Sequence, residues 1–389
     1  MVPSRLLSSL LALPVLAFFS LSASALPRPR TASSTAALKL AVRINSYGIK
    51  NIAAADRARI QVLQAGGSAS VNATNTVTTY TASIGVGSPA TYYTLLVDTG
   101  SSNTWIGGNK AYTQTTASRD TLNKFKVPYA DGSSVSGEEY TDTVTLNSDL
   151  VIENQSIGVA SKTSGMGGLD GIFGLGPADL TQGIVDDAYE VATVMDNLYT
   201  QKQISSEVLG VFFAPASSDD SSGELTFGSY DASKITGSIN YVPITSAYPA
   251  NTFWGINQSI RYGSTPILDE TAGIVDTGTT LILIASDAFN LYQSATGATL
   301  DKTTGLLQIS PDQYEQLSSL YFTIGGITYE LTPNGQIWPR SLNSAIGGTT
   351  DNIYLVVSDS GDSSGSGLDF TNGYCFLERF YSVYDTTNS

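Results

Sequence analysis

From residue 76 onward, apolar and polar positions alternate with a period of two. In "TVTTYTASIGVG" (76–87), Tyr80, Ala82, Ile84 and Val86 fall on one face, while Thr79, Thr81 and Ser83 fall on the other. Similar stretches follow: "YYTLLVDTG", "VSGEEYTDTVTL", "VLGVFFA", "GELTFGS", "SINYVPIT", "FWGINQSI", "YFTIGGITYEL", "NIYLVVSD" and "FYSVYD". Each is bounded by Gly, Ser, Asn or Asp and reads as a strand, so the pattern predicts an all-β fold. Helical spacing is confined to a few segments. "SDAFNLYQSATG" (286–297) is one, and "SPDQYEQLSSL" (310–320) is another, with Ser310 as cap, Pro311 in the first turn and Gln313 completing a capping box. "ASSDDSSG" and "SDSGDSSGSG" read as solvated loops.

Ahead of this body the pattern changes. Arg5, the apolar run "LLSSLLALPVLAFF" and the triplet Ala23-Ser24-Ala25 stand in the order of a secretory signal peptide over residues 1–25. The run is shorter than a bilayer span, and Pro14 breaks it. A basic segment, "ALKLAVRINSYGIKNIAAADRARIQVLQ" (37–64), then opens like a strand and ends like a helix, before "AGGSAS" (65–70) interrupts it. Residues 1–68 carry eight Lys or Arg and one acid, Asp56. The rest carries 11 basic and 33 acidic residues. A basic leader hinged to an acidic body reads as a propeptide, residues 26–68, held by charge. The acidic body argues against nucleic acid and anionic membranes as partners, and suggests work at a pH where many carboxylates are protonated.

At 389 residues the chain has ample material for a core and for two or three domains. The single cysteine, Cys375, offers no internal disulfide and reads as a packing residue. Asn72, Asn154 and Asn257 stand in glycosylation sequons. Histidine is absent, which removes Ser-His-Asp and Cys-His catalysis and His-containing zinc sites. The remaining chemistry runs on carboxylates, hydroxyls, Lys or Tyr and calls for no metal or cofactor.

"LLVDTGSSNTW" (95–105) and "IVDTGTT" (274–280) place the same acid in the same setting twice, 178 residues apart. One copy is compatible with a turn after a strand. Two copies predict two lobes of similar construction, each presenting one loop to a shared cleft. If Asp98 and Asp276 meet, they cannot both ionise. The ionised member can draw a proton from a lodged water while its partner donates to a carbonyl oxygen, which hydrolyses an amide without His or metal. Gly100 and Gly278 allow close backbone approach, Thr99 and Thr277 can bond across the junction, and Ser101 and Thr279 can donate to the carboxylates.

These motifs, with "GIFGLGP" (171–177), "GELTFGSYDASKITGSINYVPIT" (223–245) and "FLERFYSVYDTTN" (376–388), resemble the pepsin family of aspartic endopeptidases in the family's own order, from about residue 69 to the end. The wording is similar to secreted fungal members that do without disulfides. The resemblance implies a bilobal β fold with a central cleft: an N-terminal lobe over 69–236 and a C-terminal lobe over 237–389. It implies a monomer that acts on proteins and peptides, with Asp98 and Asp276 as the catalytic pair. "VPYADGSS" (127–134) stands where the family has its flap. Tyr129 would close over substrate with Trp105 bonding its hydroxyl, and Asp131, Gly132 and Ser133 would bond substrate backbone. Gly100, Gly278 and Thr280 complete the expected substrate contacts. Asp131 would either accept Lys just before the cut bond, as in some fungal relatives with an acid there, or serve as a turn residue in "ADG". Two departures stand out: Thr371-Asn372-Gly373 replaces the family's two apolar residues before a Gly, and relatives continue past Ser389 into a last strand. A catalytically silent pepsin-like binding protein and a two-carboxylate glycosidase are the competing readings.

Overall fold

Alternation over 76–98 becomes an antiparallel pair, Thr78–Val86 with Thr91–Asp98, in the register Ala82↔Leu95 and Ile84↔Tyr93. The computed structural model describes residues 36–44, 51–64, 78–128, 134–162, 168–216 and 222–386. The signal segment 1–25, the sequon at Asn72 and the flap residues 129–133 lie outside them.

Two sheets carry the fold. Among the described residues, the larger has eleven strands and the second has seven. In the first, the strand that ends at Asp98 has a parallel neighbour, Gly171–Gly174, in the register Val97↔Phe173 and Asp98↔Gly174. The second repeats this plan. Gly255–Tyr262 pairs antiparallel with Thr265–Val275, and Phe370–Asn372 then runs parallel alongside, with Val275 opposite Asn372. Each return strand is buried where it approaches its acid, so each acid leaves the sheet at the end of a rigid rod.

The leader is built into the larger sheet. Ala36–Ile44 lies between Ser222–Phe227 and Thr78–Val86, with Leu38↔Leu225 on one side and Val42↔Tyr80 on the other. Helix Ile52–Gln64 follows. The Asn51 side chain accepts from the Ala54 N–H at 3.0 Å and caps it. The helix buries Ile52, Ala53, Asp56, Arg59, Ile60 and Leu63 along one stripe. Four of these are apolar and belong there; Asp56 and Arg59 are charged and need partners.

Both helical segments form, the second over only the first half of 310–320. Ser286–Thr296 is a helix that ends on Gly297 at φ 66°, and Pro311–Glu315 carries the complete Ser310–Gln313 capping box. "YFTIGGITYEL" folds as a hairpin, Leu320–Ile324 with Ile327–Leu331, around Gly325 and Gly326. One expectation fails. "SINYVPIT" (238–245) forms no strand, because alternation supplies a face but not a neighbouring edge. This segment instead lines a cleft of about 730 Å³ together with residues 376 and 379–385. No helix among the described residues is long and apolar enough to cross a membrane.

Candidate active site

Val97 and Val275 deliver Asp98 and Asp276 to the junction of the two lobes, and the loops lock there by a reciprocal exchange. The Thr99 N–H donates to Thr277 Oγ1 at 2.9 Å, and the Thr277 N–H donates to Thr99 Oγ1 at 3.0 Å. The hydroxyls then reach past each other, Thr277 to the Val97 carbonyl at 3.0 Å and Thr99 to the Val275 carbonyl at 3.4 Å. Threonine suits this position because one hydroxyl both accepts and donates.

Each carboxylate has the same local partners. The Gly100 N–H donates to Asp98 Oδ1 at 3.0 Å, and Ser101 Oγ to Asp98 Oδ2 at 2.6 Å. The Gly278 N–H donates to Asp276 Oδ1 at 2.9 Å, and Thr279 Oγ1 to Asp276 Oδ2 at 2.6 Å. The glycines are required by space. A Cβ at Gly100 would lie 2.6 Å from Asp276 Oδ1, and one at Gly278 would lie 2.5 Å from Asp98 Oδ1. Gly278→Ala is therefore expected to lower stability by about 1–3 kcal/mol through overpacking. Thermal unfolding checks this, and an unchanged midpoint would show that the loops can separate freely.

The leader helix closes the site. Arg59 Nη2 donates to Asp98 Oδ1 at 2.7 Å and to Asp276 Oδ1 at 3.1 Å, while its Nε donates to Asp276 Oδ2 at 2.8 Å. One guanidinium nitrogen thus touches both acids, and all three side chains are fully buried. Burial opposes the guanidinium charge, but the two carboxylates more than offset it and hold Arg59 protonated. Between the acids the effects diverge. Burial pushes the Asp98 carboxyl up more than Arg59 pulls it down. At Asp276 burial also pushes up, but the charge and hydrogen bonds of Arg59 prevail and hold the carboxyl below its ordinary value. The pair can therefore keep one proton on the Asp98 side and one charge on the Asp276 side.

Asp56, one turn earlier, accepts from the Thr280 N–H at 3.1 Å and the Leu281 N–H at 2.8 Å. Burial drives its carboxyl from 3.8 to about 7, against those two donors and the charge of Arg59. Arg57 anchors the helix by donating to the Asp359 carbonyl at 3.1 Å and its carboxylate at 3.3 Å. Sequence reasoning did not single out Asp56, Arg57 or Arg59. The available signal was two charged residues on the buried stripe of a helix in a basic leader.

The other expected site residues divide. Trp105 is buried beside the first loop, and its indole nitrogen has no partner among the described residues. Thr280 is buried with its backbone covered by Asp56. Tyr129, Asp131, Gly132 and Ser133 lie outside the described residues.

Comparison with known proteins agrees with this geometry. The family described as Eukaryotic aspartyl protease matches residues 79–389. Polyporopepsin of Irpex lacteus is 60% identical over 323 residues, covering 82% of this chain and 94% of that protein. Rhizopuspepsin-1 of Rhizopus niveus is 32% identical over 69% of this chain and 70% of its own length. The crystal structure of the aspartic proteinase from Irpex lacteus superposes with a TM-score of 0.76, covering 80% of this chain and 92% of that one. Two V-D-T-G loops interlocked at the end of paired rods, a two-sheet fold and a relative at this identity lead to one conclusion: the chain belongs to the pepsin family of eukaryotic aspartyl proteases and is an aspartic endopeptidase.

Proposed function

We propose that the chain is a secreted zymogen whose catalytic pair is Asp98 and Asp276, and whose residues 26–68 act as an intramolecular inhibitor until acid releases them. The observation that carries this reading is the guanidinium of Arg59 bonded to both carboxylates. A water activated between two acids needs the space that this group fills. With the helix gone, the ionised member of the pair would take a proton from that water, and the protonated member would donate to the peptide carbonyl oxygen. Tyr129, Asp131, Gly132 and Ser133 would close over the substrate, with Trp105 behind them. Gly100, Gly278 and Thr280 would bond its backbone. The signal-like residues 1–25 support export, and Asn154 and Asn257 are both exposed where a glycan would need them. The lobes divide near residue 236, and the mature enzyme acts as a monomer.

The pH at which the helix leaves follows from the shifted groups. Asp56 has its pKa raised in the docked helix, so docking takes up a proton between pH 7 and about 4 and tightens as pH falls through that window. Asp276 has its pKa lowered, so its pairing with Arg59 persists above the ordinary 3.8 and is lost as pH falls through the lowered value. Asp56 therefore holds the helix in place through mild acid, and release waits for Asp276 to be protonated. The purified precursor is expected to keep its mass at pH 6 and pH 5 and to shorten below about pH 4. Intact mass spectrometry after timed incubations checks this. Shortening at pH 6 as fast as at pH 3 would refute the arrangement, and Asp56→Asn should flatten the pH dependence between 7 and 4.

A further inference from the structure

The two lobes build their acid-bearing rods on the same plan, but one buried pair beside them differs in kind. In the first lobe Phe173 lies opposite Val97, just before Asp98, and Ile84 lies opposite Tyr93, four residues before Val97. Both Phe173 and Ile84 are fully buried and apolar. In the second lobe the corresponding positions are Asn372, opposite Val275, and Gln258, opposite Thr271. Asn372 and Gln258 are also fully buried, and each is the other's partner. Asn372 Nδ2 donates to Gln258 Oε1 at 2.9 Å, and Gln258 Nε2 donates to Asn372 Oδ1 at 3.3 Å. Strand Thr265–Val275 runs between the strands that carry them, so the amide pair ties together the two flanks of the rod that ends at Asp276. The backbone completes the link, because the Asp276 N–H donates to the Asn372 carbonyl at 3.1 Å.

The first lobe demonstrates that an apolar pair satisfies the fold at these positions. Two buried amides are costly unless each satisfies the other, and in return they are directional where apolar side chains are not. We propose that Gln258 and Asn372 are positioning residues for the reaction: their reciprocal amide pair fixes the backbone at Asn372, and through it the orientation of Asp276 relative to Asp98. This rests on the assignment of Asp98 and Asp276 as the catalytic pair. It also gives the Thr371-Asn372-Gly373 departure a role.

The test uses the acid-matured enzyme from the full-length chain and near-isosteric variants: Gln258→Met, Asn372→Leu, the two combined, and Asn372→Asp. Each single variant strands one buried amide and is expected to lower both the thermal midpoint and kcat, the latter roughly tenfold to a hundredfold with KM little changed. The double variant removes both amides and should regain most of the thermal midpoint, because exchanging both partners for apolar groups of the same shape is close to neutral. It should not regain kcat. Recovery of kcat together with the midpoint would reduce the pair to packing and overturn the proposal. Asn372→Asp supplies the test that survives misfolding of the singles. Its carboxyl can donate to Gln258 Oε1 and accept from Gln258 Nε2 only while protonated. Its kcat should therefore match the parent enzyme on the acid side of the profile and fall away from it as pH rises. A profile superimposable on the parent's would also overturn the proposal. Failure of the underlying assignment reads out separately, as proteolysis surviving in Asp276→Asn.

Discussion

Asp98→Asn and Asp276→Asn are each expected to lower kcat/KM on casein by about 10⁴-fold, because each removes one half of a proton relay that needs an ionised and a protonated member together. The substitution keeps the shape of the carboxyl. In either variant an amide replaces a carboxyl that must both take up and give back a proton, so the relay is broken at that position. Folding should survive in both: the neighbouring Gly N–H keeps the Asn Oδ1 as its acceptor, and the neighbouring hydroxyl can turn to accept from the Asn Nδ2. Circular dichroism checks the fold and initial rates check the loss. The two precursors should also fail to shorten themselves below pH 4 yet be trimmed by added wild-type enzyme. Self-shortening in either variant would assign the chemistry to other groups.

The second large effect is expected at Arg59. In Arg59→Ala the helix would have to seat over two buried carboxylates with no cation between them, and breaking a buried pair by removing one partner costs about 3–5 kcal/mol. The undocked population should rise a hundredfold or more, so that the uncleaved variant hydrolyses a small peptide at pH 5 while the uncleaved parent does not. Arg59→Lys should fall between them, because an ammonium is a single point charge and cannot span three carboxylate oxygens in a fixed fork. The measurement is peptide hydrolysis by protein whose mass is confirmed intact before and after. A silent, full-length Arg59→Ala would mean that some other segment blocks the site.

How far the sequence foretold this structure depends on what each feature required. The strand at 78–86 was legible because its apolar residues keep to alternate positions, and the one at 91–98 because an apolar run, Leu95 to Val97, leads into the acid. The pair of acids was legible because duplication repeats the whole local setting and not only the acid. The strand expected at 238–245 was not legible as false, since its alternation is real and only the absence of a paired edge disqualifies it. Arg59 and Asp56 were obscured for a different reason. Their partners lie 217 and 224 residues away, at Asp276 and Thr280, and a leader with several cations gives no sign which one is buried. Asn372 was visible as a departure, but Gln258, 114 residues earlier, carried no mark that the two would meet.

The placement of Ala36–Ile44 has a consequence for the processing proposed above. This strand is laced on both sides, to residues 222–227 and to residues 78–81. On the proposed processing, a cut near residue 68 would free the helix, but taking the strand away as well would unzip the interior of the larger sheet and leave two facing rows of bare amides and carbonyls. Activation of such a zymogen would be a repair problem as much as an unblocking one: the wound would have to keep its old thread or be sewn with a new one.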